Sequence, residues 1–314
     1  MLTKNDLKLL SAMEEDGRLS YAELSRKTGI SIPTVTRRVK ALYKNKTFTI
    51  NAVPNPYKLG YRAQAVIAMN VPFDKVNGVC DRLKENYNIN LIVTTFGRFD
   101  LLIAVYYAAW DELHDFISNE LNTSGDILEV EAYFVKDTVK RFYGFSRDDA
   151  GQQALSRIDE TDQRIMEELS RNGRQSNLYL SRELGISVSA VSRRVSNLLN
   201  EGLIQIQAIV DPDKLGYGVN AFVLIKARHE KIEEICRRLS LQGEVISVMK
   251  LVNSYDIFIS LVSQNHASLY GLIQKIVRST DGITSIETLI RGEIIKRYYG
   301  NYRYGNLNNG LNAQ

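Results

Sequence analysis

Cysteine, histidine, tryptophan and proline are scarce in this chain of 314 residues, at two, three, one and five copies. The cysteines, Cys80 and Cys236, form no C-x-x-C pair and have no histidine cluster beside them. That argues against a disulfide scaffold or a structural zinc site and fits a reducing cytoplasm. The histidines His114, His229 and His266 share no ligand spacing, so no metal is expected. No Walker loop, G-x-S-x-G elbow or H-E-x-x-H run occurs, so neither catalytic residues nor a cofactor are expected. No stretch approaches the roughly eighteen apolar residues of a membrane span. The opening MLTKNDLKLL also lacks the apolar segment of a secretory signal. The expectation is a soluble, cytoplasmic, non-membrane protein. Its net charge of +4 and pI near 8.8 suit nucleic acid without requiring it.

What the chain does have is a repeat. SIPTVTRRVKAL (31–42) and SVSAVSRRVSNL (187–198) share the frame S-x-x-x-V-x-R-R-V-x-x-L. The same offset of 156 residues relates Gly17 to Gly173, Gly29 to Gly185, Gly60 to Gly216, Asp100 to Asp256 and Cys80 to Cys236. PYKLGY (56–61) matches PDKLGY (212–217), and KRFYG (140–144) matches KRYYG (296–300). Register held this long without an insertion marks a tandem duplication. The predicted division is 1–53, 60–144, a polar linker 145–156, 157–210, 216–300, and an Asn- and Gly-rich tail 301–314 expected to be disordered.

Each copy divides again. In the first, Thr3 is a candidate N-cap and Gly17 lies past the end of a first helix. Ser20 and Glu23 have capping-box spacing, and Gly29 stops a second helix. Ser31 is expected to cap a third, in which Val35, Val39 and Leu42 recur on one face and Pro33 sits in the first turn. Three short helices with a tight turn before the third read as a helix-turn-helix, with FTINAV (48–53) as a small wing. The second copy repeats this from Asp159 to Val210.

Beyond the wing the period changes. Strand-like runs at 63–69, 89–96, 101–107 and 127–135, with helices near 74–86 and 110–121, give the order βαββαβ of a ferredoxin-like sheet. The fold class is therefore α+β. The strands are nearly continuous apolar runs, where a sheet with one wet face should alternate. Both faces must be covered, so the two copies' sheets are expected to pack back to back as an intramolecular pseudo-dimer.

The third helix turns its apolar positions inward, leaving polar ones for a partner. A helix of this kind can lie in the DNA major groove with N-terminal side chains at base edges and arginines at guanines or phosphates. The candidate DNA-binding residues are Ser31, Pro33, Thr34, Thr36, Arg37, Arg38 and Lys40, with Ser187, Ser189, Ala190, Ser192, Arg193, Arg194 and Asn197 in the second copy. A solvated helix face is the plainer reading, and Arg38 and Arg194, each next to a buried valine, can instead pair with an acidic neighbour. Residues 1–51 carry 10 Lys and Arg against 5 Asp and Glu, while residues 151–208 carry 7 against 7. Phosphate attraction dominates DNA affinity, so the first module should bind more strongly.

A helix-turn-helix, a P-x-K-L-G-Y connector and a βαββαβ domain with a G-x-[FY]-D strand turn together resemble the Lrp/AsnC (leucine-responsive, feast/famine) transcriptional regulators. GRFD (97–100) matches that turn fully, whereas NSYD (253–256) has Asn253 where glycine is usual. The resemblance implies double-stranded DNA as partner, small-molecule sensing, often of amino acids, and self-association through the sheet domains. It places effector contacts at Gly97, Arg98, Phe99 and Asp100 and at Ser254, Tyr255 and Asp256. A structural reading stands beside it: Gly97 for a tight hairpin, Asp100 for backbone N–H groups. The tandem arrangement departs from the usual single-copy member and looks like a dimer fused into one chain. KRFYG and KRYYG are read as closing the sheet edge, or as a contact surface. Two further classes remain: a sirohaem-decarboxylase-like tetrapyrrole enzyme, which this fold also resembles, and a non-DNA-binding oligomerisation partner of related regulators.

Overall fold

A computed structural model describes residues 2–141 and 158–297. The predicted linker 145–156, the tail 301–314, and Phe142, Tyr143, Gly144, Tyr298, Tyr299 and Gly300 of the aromatic ends lie outside the described residues. The chain divides into two compact units, and each draws on both copies.

The first unit holds the two helical domains, ending at Leu59 and Gly216. Helices α1 (Lys4–Glu15), α2 (Tyr21–Thr28) and α3 (Ile32–Lys44) lead into strand β1 (Phe48–Pro54). Thr3 and Asp6 form a capping box on α1, and Ser20 and Glu23 form one on α2. Gly29 closes α2 in the left-handed region at φ 73°. Leu9, Met13, Leu24 and Val35 are fully buried between the three helices. One capping expectation fails. Ser31 occupies the N-cap position of α3 but makes no cap bond, because its hydroxyl turns to Thr34 Oγ1 at 3.0 Å.

In the second copy α6 (Glu160–Arg171), α7 (Asn177–Leu184) and α8 (Val188–Asn200) precede β6 (Ile204–Val210). Here Ser187 does cap its helix, accepting from the Ala190 N–H at 3.2 Å. Strands β1 and β6 pair with each other, antiparallel, from Phe48 opposite Val210 to Pro54 opposite Ile204. Each wing strand thus finds its partner in the other copy. The glycines after the first helices explain how the helices dock on this ribbon. Gly17 N–H donates to Ile206 O at 2.8 Å and Gly173 N–H to Ile50 O at 2.7 Å. A Cβ on Gly17 would sit 2.9 Å from Ile50 Cγ2 and 3.0 Å from Gln207 backbone, and one on Gly173 would sit 2.8 Å from Ile206 Cγ2. Their role is close approach, not only the helix stop read from the sequence.

The second unit begins at Gly60 and Tyr217 in the two copies. The first copy contributes β2 (Ala63–Asn70), α4 (Val76–Lys84), β3 (Ile89–Phe96), β4 (Leu101–Tyr107), α5 (Trp110–Asp115, running on as a π-helical turn to Leu121) and β5 (Glu129–Lys140). The second contributes β7 (Val219–Ala227), α9 (Ile232–Ser240), β8 (Val245–Val252), β9 (Ile257–Ser263), α10 (His266–Ser279) and β10 (Ile283–Arg297). Each set has the ferredoxin-like strand order. The helix-free faces do meet, through Val66, Phe99, Leu102 and Tyr133 of one copy and Phe222, Leu224, Phe258 and Leu289 of the other. The edges also join. Strand β5 pairs with β8 and β10 with β3, which closes a barrel of β10-β3-β4-β2-β5-β8-β9-β7. Closure leaves no edge strand within the barrel unpaired. Cys80 and Cys236 are buried, and burial pushes both thiols up, Cys236 to about 12.

Candidate nucleic-acid interface and strand turns

The two arginines of each repeated helix behave differently. Arg37 and Arg193 are exposed and make no ion pair or hydrogen bond among the described residues. Arg38 is half-buried, and its Nη1 donates to Asp6 Oδ1 at 3.0 Å and to Thr3 Oγ1 at 2.8 Å. Arg194 repeats the arrangement, with Nη1 at 2.8 Å from both Asp159 Oδ2 and Asp162 Oδ1. The acidic-neighbour alternative is thus what the structure shows for the second arginine. Each one fastens α3 or α8 to the capped start of α1 or α6. Burial by itself would raise the Asp6 carboxyl, but hydrogen bonds from Thr3 and the Arg38 guanidinium outweigh it and hold it low.

Around Arg37, the Ser31, Pro33 and Lys40 side chains are exposed, and Thr34 and Thr36 are half-buried. Around Arg193, Ser187, Ser189, Ser192 and Asn197 are exposed, and Ala190 is half-buried. The frame therefore presents its polar face outward in both copies. Two apolar residues break the inward rule: Ile32 is 48% exposed and Val188 42% exposed. They occupy the same first position of each helix. An apolar residue kept outside the buried i, i+4, i+7 stripe was the available signal.

The strand turns have less free chemistry than the sequence suggested. Gly97 has φ 137° and packs on β10, where a Cβ would meet Leu289 Cδ2 at 3.1 Å and Thr288 O at 3.2 Å. Phe99 is fully buried in the core between the sheets. Asp100 Oδ2 accepts from the Val71 N–H at 3.0 Å, and Asp256 Oδ2 from the Ala227 N–H at 2.8 Å. Phe99, Asp100 and Asp256, expected at an effector, thus have structural work. Asn253 adopts φ 128°, nearly the Gly97 conformation, and its Nδ2 donates to Ala132 O at 2.6 Å.

Two further polar groups of the turns, Arg98 and Ser254, cross to the other copy, while Tyr255 bonds within its own. Arg98 pairs with Glu131 at 2.7 Å and Glu129 at 3.1 Å in its own copy, and reaches Glu287 at 3.6 Å in the other. Ser254 Oγ donates to Glu131 Oε1 at 2.9 Å, and Tyr255 OH to Glu287 Oε2 at 2.6 Å. Burial and the adjacent Glu287 push the Tyr255 phenol up to about 12.

The basic ends of the sheet domains also exchange. Lys140 Nζ donates to Gln242 O at 2.9 Å, just past α9, and Lys296 Nζ to Lys84 O at 2.7 Å, the last residue of α4, and to Asn86 O at 2.8 Å. Each lysine thus meets the carbonyl end of a helix in the opposite copy, a favourable place for a cation. Burial nevertheless pushes Lys296 down to about 8. The three histidines are all exposed. Among the described residues no His, Cys, Asp and Glu group of three or more could hold a metal ion, and no helix is long and apolar enough to cross a membrane.

Two family models match parts of the chain. The family model described as winged helix-turn-helix DNA-binding matches residues 2–45 and again 158–205. The model described as the Lrp/AsnC ligand binding domain matches residues 220–300. An uncharacterised HTH-type transcriptional regulator of Pyrococcus furiosus is 32% identical over 148 residues, covering 47% of this chain and 99% of the relative. Regulatory protein AsnC of Haemophilus influenzae is 28% identical over 138 residues, covering 43% of this chain and 92% of the relative. The chain belongs to the Lrp/AsnC family of transcriptional regulators. Among solved structures, the siroheme decarboxylase NirDL matches with a TM-score of 0.68 over 98% of this chain and 100% of that one. At 16% identity this is a likeness of fold.

Proposed function

We propose that the chain is a sequence-specific DNA-binding regulator of transcription, acting in the cytoplasm, whose operator affinity is set by a small-molecule effector. One observation carries this reading. Two helix-turn-helix domains, joined through a shared ribbon, each present an exposed arginine, Arg37 and Arg193, that has no partner within the fold. The first module, with its excess of basic residues, is the stronger binder. The experiment is selection of bound fragments from the source genome, followed by anisotropy titration at several salt concentrations. A folded protein that selects no sequence would instead fit an oligomerisation partner that does not bind DNA.

The effector, an amino acid or related metabolite, is proposed to bind beside the turns, where Arg98, Ser254 and Tyr255 stay at least partly exposed. Coupling between sites is reciprocal, so an effector that weakens DNA binding is itself held less tightly on DNA. A thermal-shift screen of amino acids on ligand-free protein tests this, and no stabilised hit would count against it.

The whole-chain likeness to a siroheme decarboxylase favours one second reading, a tetrapyrrole enzyme. Titration with sirohaem separates the two. A Soret shift with decarboxylated product would establish the enzyme, and an unchanged spectrum with selective DNA binding the regulator.

A further inference from the structure

The frame shared by α3 and α8 has six identical positions and two conservative ones, Ile32 with Val188 and Thr36 with Ser192. Ser31 and Ser187 occupy the N-cap positions, where only Ser187 makes the cap bond. Val35, Val39 and Leu42, like Val191, Val195 and Leu198, are buried in the core of each domain. Arg38 and Arg194 bind the acidic starts of α1 and α6. Among the rest, Arg37 with Arg193 is exposed and charged, and Ile32 with Val188 is exposed and apolar.

The second pair is the less expected. A singly exposed apolar side chain is ordinary, and what calls for a reason is its recurrence at one helix position in both copies. Both copies put such a residue at the leading end of the helix, about half exposed. The positions that follow have diverged, from Pro33 and Thr34 in one copy to Ser189 and Ala190 in the other. When a helix lies in the major groove, its first residues meet base edges. Among those edges the C5-methyl of thymine is the group that an apolar side chain can cover.

We propose that Ile32 and Val188 each read one thymine per half-site by apolar contact with its methyl group. The inference rests on the DNA-binding reading above and makes it specific. The operator should be an imperfect palindrome, alike at that thymine and different at the bases met by Pro33 and Thr34 in one half and by Ser189 and Ala190 in the other.

The test uses the full chain and duplexes selected from a random pool, with each thymine replaced in turn by deoxyuridine, which lacks only the methyl. One replacement per half-site should weaken binding about fourfold, the worth of one buried methyl group. Ile32→Ser should weaken binding to the thymine operator to a similar degree. It should also abolish the uracil penalty in its own half-site and leave the other intact, while Ile32→Val keeps both. Circular dichroism checks that the variants fold. Selective binding without a uracil penalty, or with a penalty that survives both Ile32→Ser and Val188→Ser, overturns this inference and leaves the regulator standing. A chain that selects no sequence overturns both.

Discussion

Asn51 lies directly opposite Gln207 in the β1–β6 ribbon, and these two residues are each other's counterparts in the repeat. The ribbon is therefore symmetric about its own middle, as in the self-complementary contact of a two-fold dimer. The barrel follows the same rule, since Phe134 opposite Val252 on one seam becomes Ile290 opposite Phe96 on the other. A single polypeptide has kept the contact pattern of two identical subunits.

Docking of the helices on that ribbon gives the first expectation. Gly17→Ala and Gly173→Ala force a methyl group against backbone and isoleucine, and each should cost about 1–3 kcal/mol by overpacking. Gly78, inside α4, has nothing within 4 Å of a built Cβ. Gly78→Ala should therefore stabilise by about 0.5–1 kcal/mol through helix propensity alone. Urea denaturation of the three variants distinguishes close approach from a general effect of glycine.

The arginine pair should separate stability from binding. Arg37→Ala should leave the melting temperature unchanged and lower DNA affinity, with the salt slope reduced by about one for a lost phosphate contact. Arg38→Ala leaves the buried Asp6 carboxylate without its guanidinium and should cost about 1–3 kcal/mol. The matching changes at Arg193 and Arg194 should follow the same division, with a smaller binding loss because that module carries no net charge. Thermal melts read beside anisotropy titrations decide it.

Two groups set opposite pH dependences. Asp6 titrates below its unfolded value, so its contribution is fully present above about pH 4 and is lost as pH falls through the folded value. The stability gap between the natural chain and Asp6→Asn should close on acidification. Lys296 titrates at about 8, below its unfolded value of about 10.4, so the unfolded chain binds more protons between them. Stability from this group should rise with pH across that window and vanish in Lys296→Met. Methyl-labelled lysine spectra should show one titration midpoint near 8.

The second strand turn offers a strain test. Asn253 holds a backbone conformation suited to glycine and offsets it with the bond to Ala132 O. Asn253→Gly removes both strain and bond and should be nearly neutral. Asn253→Ala keeps the strain without the bond and should cost about 1–2 kcal/mol. Chemical denaturation of the pair would show whether glycine was replaced here at no net loss.

The sequence by itself determined what depends on near neighbours. Helix starts at Thr3 and Ser20, the stop at Gly29, the strand runs and the repeat were all legible, because caps, periodicity and turn residues act over a few positions. The apolar character of the strands even announced that both sheet faces are covered. Tertiary structure alone decided the rest. Nothing local tells FTINAV that its partner is IQIQAIV of the other copy, or that Arg38 will close on Asp6, 32 residues away. The carboxylates of the strand turns are alike in sequence whether they face a ligand or a backbone N–H, and only folding brought Val71 and Ala227 against them. Ile32 likewise reads as core by composition. It lies outside because the packing that buries Val35, Val39 and Leu42 stops short of it, and only the packing shows where that happens.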